Sequence, residues 1–278
     1  MSKAEFLDSL FSVEGKVAAV TGGGGVLCGT MAKALANLGL KIAVLDLSED
    51  AARKVAEEIN KAGGVAKGYK TDVLNRESLE SVRAAIEKDL GPVDVLVNGA
   101  GGNSPKATTS DKQSFFDLPK EGFDFVFALN FMGTLLPTQV FAKGMAERKK
   151  GQIINISSMN AIRPLTKIPA YSAAKAAVTN FTQWLAVHIN QNYSTEIRIN
   201  AIAPGFFVTA QNKFLLLDEK TGQLTPRGQT IIGHTPRGSF GESEDLISTL
   251  VWLLGKGSKF VNGTVIPVDG GFSAFSGV

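Results

Sequence analysis

Tyr171 and Lys175 stand four residues apart in Tyr171-Ser172-Ala173-Ala174-Lys175, an alanine-rich stretch that favours a helix, so both side chains rise from one helix face. A phenol beside an ammonium is suited to moving a proton on and off a substrate oxygen. A free phenol titrates near 10, and bringing it to about 7 takes roughly 4 kcal/mol of preferential stabilisation of the phenolate. A neighbouring ammonium in a poorly solvated cleft contributes to that. Ser158 follows the apolar run Gln152 to Ser157, at the carboxyl edge expected of a sheet, where its hydroxyl can hold the substrate oxygen beside Tyr171. Each residue alone has a plainer reading: Ser157 and Ser158 can cap a turn, and Tyr and Lys are common helix-surface residues.

A second constellation lies near the N-terminus. Val17 to Val20 runs into Thr21-Gly22-Gly23-Gly24-Gly25-Val26-Leu27-Cys28-Gly29 and then a helical pattern, the strand-loop-helix setting of a dinucleotide phosphate loop. Glycines admit backbone close to a pyrophosphate, and the helix start offers free N–H groups and a positive dipole end. By itself such a run is equally a tight strand-to-helix turn. About two dozen residues on, the second strand ends at Asp46, where a carboxylate can accept both hydroxyls of an adenosine ribose and repel a 2′-phosphate. No Arg or Lys occupies the glycine loop or directly follows Asp46, so NAD is expected over NADP. Asp46 can also be a helix cap, a role that Ser48 fills better.

Positioning these residues requires a sheet. Short runs rich in β-branched residues recur at Val17–Val20, Ile42–Leu45, Ala66–Lys70, Val93–Val97, Ile153–Ile156, Ile197–Ile202 and Val265–Val268. Between them lie helical patterns at Met31–Leu38, Ala51–Lys61, Ser78–Asp89, Phe123–Glu147, Ala173–Gln191 and Ser243–Leu254. This alternation predicts an α/β chain: one Rossmann-fold domain over residues 1–278, a seven-stranded parallel sheet with helices on both faces. After Pro204 the regularity breaks, and 205–242 is read as a substrate-covering lid with a short helix at Gln211–Leu217 and turns at Thr225–Gly228 and Thr235–Gly238.

Composition removes other classes. A chain of 278 residues with 44% hydrophobic content can bury one sizeable core. A net charge of +3, without long like-charge runs, argues against nucleic acid or a membrane surface as partner. The single cysteine, Cys28, forbids an internal disulfide, and the two histidines, His188 and His234, form no metal-ligand spacing, so no metal is expected. Met1 to Glu14 mixes charge with Phe6, Leu7, Leu10 and Phe11, unlike a signal peptide, and the segment to Phe11 has no assignable role. No run reaches the roughly 20 apolar residues of a spanning helix, so a cytoplasmic location is expected.

The glycine loop, Asp72-Val73, Asn98-Gly99-Ala100-Gly101, Asn130, Ser158, Tyr171-x-x-x-Lys175, Pro204-Gly205 with Thr209, and Asp269-Gly270-Gly271 together resemble the classical short-chain dehydrogenase/reductase family over nearly the whole chain. The resemblance implies Tyr171 as acid/base, Lys175 lowering its pKa and holding the nicotinamide ribose, Ser158 orienting substrate, and Asn130 tying a relay water to Lys175. It implies cofactor contacts at Gly22, Gly25, Val26, Leu27, Asp46, Asp72, Val73, Asn98, Gly99, Ala100, Pro204, Gly205 and Thr209. Asn98 among these has the strongest case for a purely structural role. It further implies a homotetramer packed through Phe123–Glu147 and Ala173–Gln191.

Two departures stand out. The family's usual glycines fall where this chain has Val26 and Cys28, and Gly99 replaces a common Asn or Ala. Gly22 and Gly25 are then the expected points of closest phosphate approach, with Cys28 a small buried hydrophobe. The loop Gly102–Pro119 and the residues Asn103, Asn160, Arg163, Gln211, Asn212, Lys213, His234 and Arg237 suit a small-molecule substrate with hydroxyls and a carboxylate, a sugar acid. Gly101-Gly102-Asn103, Gln211-Asn212-Lys213 and Leu224 to Gly228 resemble bacterial D-mannonate oxidoreductases, which interconvert D-mannonate and D-fructuronate. A gluconate 5-dehydrogenase, a 3-oxoacyl reductase suggested by Phe206, Phe207 and Leu215 to Leu217, and a nucleotide-binding regulator without turnover remain open.

Overall fold

The computed structural model describes residues 1–209 and 212–277. Its centre is one sheet of strands β1 (Val17–Thr21), β2 (Lys41–Asp46), β3 (Val65–Lys70), β4 (Val95–Asn98), β5 (Gly151–Ile156), β6 (Ile197–Pro204) and β7 (Val265–Val268), ordered β3-β2-β1-β4-β5-β6-β7. Every pairing is parallel. Alternation along a strand feeds two cores: Ala18 and Val20 of β1 join one layer, Val17 and Ala19 the other. Both faces are dry because crossover helices cover both, which is why the strands read as unbroken apolar runs.

The helices are α1 (Lys3–Phe11), α2 (Val26–Asn37), α3 (Glu49–Lys61), α4 (Arg76–Asp89), α5 (Lys120–Phe127), α6 (Gly133–Glu147), α7 (Pro169–Asn192), α8 (Lys213–Leu216), α9 (Pro226–Gly233) and α10 (Ile247–Leu254). Met31 and Leu35 of α2 pack with Leu250 and Leu253 of α10 on one face. Leu79 and Ile86 of α4, Phe141 of α6 and Leu185 of α7 fill the other. This is the expected single Rossmann domain.

Several boundaries differ from the sequence expectation. The second helix starts at Val26 rather than Met31, because glycine's poor helix propensity hides a start that tertiary packing supplies. The run 120–147 is interrupted by a π-helical turn, Ala128–Met132. The freed carbonyls there are taken by side chains: Asn130 Nδ2 donates to Val126 O at 2.8 Å and Thr134 Oγ1 to Asn130 O at 2.9 Å. Ser243–Leu246 is a 3-10 turn leading into α10. The expected turn at Thr225–Gly228 is the start of α9, with Thr225 capping the Gly228 N–H and Pro226 in the first turn. The N-terminal segment is a helix closed by a Ser2–Glu5 capping box and set against the end of α10, where Leu10 O approaches Gly255.

By length and composition the run Lys120–Glu147, with a best-window mean hydropathy of 1.4, qualifies as a membrane span, which the sequence reading had not found. Its Val126, Val140, Phe141 and Met145 are instead buried in the protein core.

Candidate active site

The loops after β1, β2 and β4 meet at the carboxyl edge of the sheet. Thr21, wholly buried at the end of β1, accepts the N–H groups of Gly99 (3.0 Å) and Ala100 (3.2 Å) through Oγ1 and fastens the two loops together. Gly22 lies at φ 65°, and a Cβ there would stand 3.0 Å from the Ala100 backbone. Helix α2 then opens at Gly25 with no side-chain cap and no acidic residue in its first turn, whereas α3 and α4 are capped by Ser48 and Asn75. Its free N–H groups can meet an anion. Asp46 accepts the Gly24 N–H at 3.1 Å through Oδ2 and the Ser48 N–H at 3.0 Å through Oδ1, leaving each oxygen a further lone pair. Ser48, not Asp46, caps α3. A glycine cradle, an uncapped helix start and a carboxylate with spare acceptor capacity fit a dinucleotide.

Cys28, which with Val26 makes one departure from the family pattern, touches Gly99, which makes the other. A methyl group at Gly99 would overlap the Cys28 sulfur, so the thiol occupies the space that a side chain at 99 would need. Burial pushes the thiol up to about 12, so it is neutral and acts as an apolar filler.

Asn98 Nδ2 donates to Thr138 Oγ1 and to Asn155 Oδ1, both at 2.9 Å, and Asn155 Nδ2 donates to Thr182 Oγ1 at 2.9 Å. This buried ladder ties α6, β4, β5 and α7. Sequence reading missed Thr21, Asn155, Thr138 and Thr182. A polar residue inside an apolar run, as in Ile153-Ile154-Asn155-Ile156, was the available signal. Val73 packs against Gly133, and Asp72 Oδ1 accepts the Leu74 N–H at 2.9 Å. Gly205 fits closely against Asp269, where a Cβ would come within 2.6 Å of the Asp269 Cα. Thr209 is half-buried with its N–H on Asn212 Oδ1 at 2.8 Å.

Ser158, Tyr171 and Lys175 come together. The Ser158 hydroxyl stands beside the Tyr171 phenol, and Lys175 Nζ lies 5.7 Å from the phenol ring centre. Lys175 is buried and donates to Ile156 O at 2.8 Å. Desolvation brings its ammonium down to about 8. Burial also pushes the Tyr171 phenol up, with the neighbouring Ser158 hydroxyl pulling the other way. The drop expected from the sequence is thus absent in the protein alone, because desolvation outweighs what the surrounding side chains supply. Asn130 is pinned to the 101–102 turn: Nδ2 donates to Gly102 O at 2.7 Å and Oδ1 accepts the Gly102 N–H at 3.2 Å. A Cβ at Gly101 would lie 2.7 Å from Asn130 Oδ1 and 3.3 Å from Lys175 Nζ, so this glycine lets both groups approach the loop.

The expected substrate residues divide. Asn103 Nδ2 bonds Thr108 Oγ1 at 3.0 Å within its own loop. The Asn212 amide is spent on the Phe207 carbonyl and the Thr209 N–H, so its expected substrate contact gives way to holding the 207–213 turn. Arg163 Nε donates to Ser273 O at 2.9 Å, tying the loop to the C-terminal tail, and His234 packs against Phe272 and Phe275. Asn160 is buried with its Oδ1 unpartnered. Gln211 lies outside the described residues. Among those residues no three His, Cys, Asp or Glu side chains gather as metal ligands.

Comparison with known proteins agrees with this geometry. The chain is 55% identical to an uncharacterized oxidoreductase of Haemophilus influenzae over 96% of both chains. It is 33% identical to the 5-keto-D-gluconate 5-reductase of Escherichia coli K12, over 95% of this chain and 98% of that one. A solved Haemophilus influenza structure, provisionally described as a D-mannonate oxidoreductase with bound NAD, superposes with a TM-score of 0.90 at 55% identity, covering 96% of this chain and 98% of that one. The sequence pattern of the short chain dehydrogenases matches residues 16–220, and the chain belongs to that family.

Proposed function

We propose that this chain is a NAD-dependent oxidoreductase that interconverts D-mannonate and D-fructuronate, with Tyr171 as the acid/base. The observation that carries the chemistry is the dry pairing of the Lys175 ammonium with a phenol that has the Ser158 hydroxyl beside it. In the reducing direction Ser158 Oγ orients the substrate carbonyl, and Tyr171 Oη passes its proton to the carbonyl oxygen. In the oxidising direction the phenolate takes that proton back. Lys175 favours the phenolate and holds the nicotinamide ribose. Asn130, with Gly101 and Gly102, keeps the wall beside Lys175 in place and anchors the relay water expected there.

When bound, NAD supplies or accepts the hydride and, oxidised, adds a positive ring beside Tyr171. The loop from Gly22 through Gly25 to Val26 and Leu27 holds its pyrophosphate, and Asp46 its adenosine ribose. Asp72 and Val73 flank the adenine. Asn98 holds the strand ends through its buried ladder, Gly99 and Ala100 line one side, and Pro204, Gly205 and Thr209 meet the nicotinamide end. Residues 205–242 act as the lid. The similarity to an NAD-bound structure and the Asp46 charge both support NAD.

Similarity supports the substrate class, since both described relatives are named for sugar acids. A second reading, 5-keto-D-gluconate reduction, is favoured by the E. coli relative. The exposed stripe of Phe125, Phe127, Trp184 and Val187 supports self-association through α5 and α7, as in the expected cytoplasmic homotetramer.

The test is oxidation of NADH, and separately NADPH, with D-fructuronate, 5-keto-D-gluconate and an acetoacetyl thioester. Turnover of fructuronate with NADH alone is the expected result. Turnover of another ketone keeps the mechanism and sinks the substrate, and NADH binding without turnover of any carbonyl favours the regulator.

A further inference from the structure

We infer that the cavity behind the two ends of the 205–242 segment is a second binding site, separate from the catalytic cleft, for a small hydroxy acid, with Arg237 holding the carboxylate and Asp245 and Asp269 accepting the hydroxyls. The cavity measures about 300 Å³, room for a ligand of sugar-acid size, and Phe206, Phe207, Arg237, Ser239, Asp245 and Asp269 are among its walls. Ser158, Tyr171, Lys175, Asn130 and the glycine loop are not. Arg237, Ser239 and Asp245 are exposed, so the mouth is open and a ligand can enter from solvent. The walls are closely fitted: a Cβ at Gly241 would stand 2.6 Å from the Phe207 ring, and one at Gly270 would stand 2.9 Å from Thr235 and 3.2 Å from the Arg237 Cβ. The stem of Arg237 is thereby laid against Gly270, and its backbone N–H donates to Gly270 O at 3.1 Å.

The polar groups of this cavity are not spent on one another. One cation and two carboxylates line it, yet among the described residues Arg237 forms no ion pair and no side-chain hydrogen bond, whereas Arg53, Arg76, Arg83 and Arg148 each meet a carboxylate. Asp245 accepts the Glu242 N–H at 3.0 Å through Oδ2, which leaves Oδ1 without a donor among the described residues. Asp269 accepts the Gly271 and Ser273 N–H groups, both at 2.9 Å and one on each oxygen, and keeps further lone pairs. A guanidinium and two acceptors held apart across a gap suit a ligand that carries both a carboxylate and hydroxyls. A bare dianion such as phosphate would face two carboxylates along with the cation, which disfavours it.

Binding there has a mechanical consequence. The Gly241 N–H donates to Phe206 O at 2.9 Å and Phe207 pairs with Gly241 in a short parallel bridge, so the cavity lies where the segment leaves the body and rejoins it. A ligand spanning Arg237 and Asp269 fastens the returning end to the loop after β7. The effect on a lid rests on the lid reading above, whereas the binding is independent of what the catalytic cleft reduces.

The experiment titrates D-gluconate, and D-glucitol as its uncharged counterpart, into the NADH-loaded wild type and Arg237→Met, and follows amide hydrogen exchange. In the wild type gluconate is expected to slow exchange across 235–241 by about threefold or more, and glucitol to leave it unchanged. Arg237→Met is expected to weaken that gluconate binding by about tenfold or more, as loss of a charge-assisted pair does, with NADH affinity within about threefold of the wild type. No protection of 235–241, equal protection by glucitol, or the same gluconate affinity in Arg237→Met overturns the inference. If Arg237→Met does not fold, Arg237→Gln removes the same charge. Protection confined to the peptides around Ser158 and Tyr171 places gluconate in the catalytic cleft alone, which overturns the inference and leaves the sugar-acid reading intact. Failure of that reading appears separately, as absence of turnover with the keto acids while 235–241 is still protected.

Discussion

The loops that follow β1 and β4 and the segment that follows β6 serve the same cleft, yet they are built in opposite ways. On the first side, polar atoms tie one strand end to another: Thr21 to Gly99 and Ala100, Asn98 to Asn155. On the second, polar atoms tie the segment to itself: Asn212 to Phe207 and Thr209, Thr225 to Leu215 and Gly228. The first side owes its geometry to the sheet, so a residue's place in a strand already places it in space. The second is held to the body mainly by apolar contacts of Leu216, Ile231 and Phe272 with Met159, so its geometry depends on how a small core packs.

The strongest test of the rigid side is Tyr171→Phe, expected to cut kcat about 10³-fold or more while NADH affinity is retained, as loss of a proton-transfer group does. Retained turnover would move the acid/base role to another group. Next is Asp46→Ser. Removing the charge that opposes a 2′-phosphate, with Lys70 in register beside it on β3, should raise the NADPH to NADH ratio of kcat/KM on the order of 10–100-fold. An unchanged ratio would locate cofactor choice elsewhere.

Gly99→Ala tests the contact with Cys28. Overpacking there should cost about 1–3 kcal/mol of stability and weaken NAD binding, with Cys28→Ala in the same chain restoring both. Failure of the double variant to recover would separate the two departures.

Lys175 makes a pH prediction for the cofactor-free protein. Its ammonium titrates near 8 when folded and near its ordinary 10.5 when unfolded. Between those values the unfolded chain holds a proton that the folded one has released, so stability from this residue rises with pH across that window. The gain is on the order of 1–3 kcal/mol, read as the melting temperature between about pH 8 and pH 10, and Lys175→Met should flatten it.

The smallest expected effect sharpens the side that follows β6: Asn212→Ala removes two local hydrogen bonds and should lower stability by about 1 kcal/mol or less, raising KM for the ketone a few-fold with NADH affinity unchanged.

All seven strands were legible to within a few residues, because burial on both faces makes a strand an unbroken apolar run. Tyr171 and Lys175 were legible as a pair because helical periodicity fixes which residues share a face. The π-turn at Ala128–Met132 was not, since it is paid for by hydrogen bonds from Asn130 and Thr134 that pattern does not display. The start of α2 was masked by glycine and valine, whose propensities argue against a helix that packing imposes. The substrate residues were the least legible: Asn103 and Asn212 have the right chemistry but spend it on their own loops.

The sequence by itself determined the order of strands and helices, the place of the glycine loop and Asp46 in the first two βα units, and the spacing that sets Ser158 before Tyr171 and Lys175. Those are consequences of local periodicity and of chain connectivity. Only the tertiary structure decided that Cys28 fills the space left by Gly99, that burial raises the Tyr171 phenol and lowers the Lys175 ammonium, and that Asn160 keeps an unpaired oxygen. Volume, desolvation and hydrogen-bond satisfaction belong to neighbours distant in the chain, and no local pattern carries them.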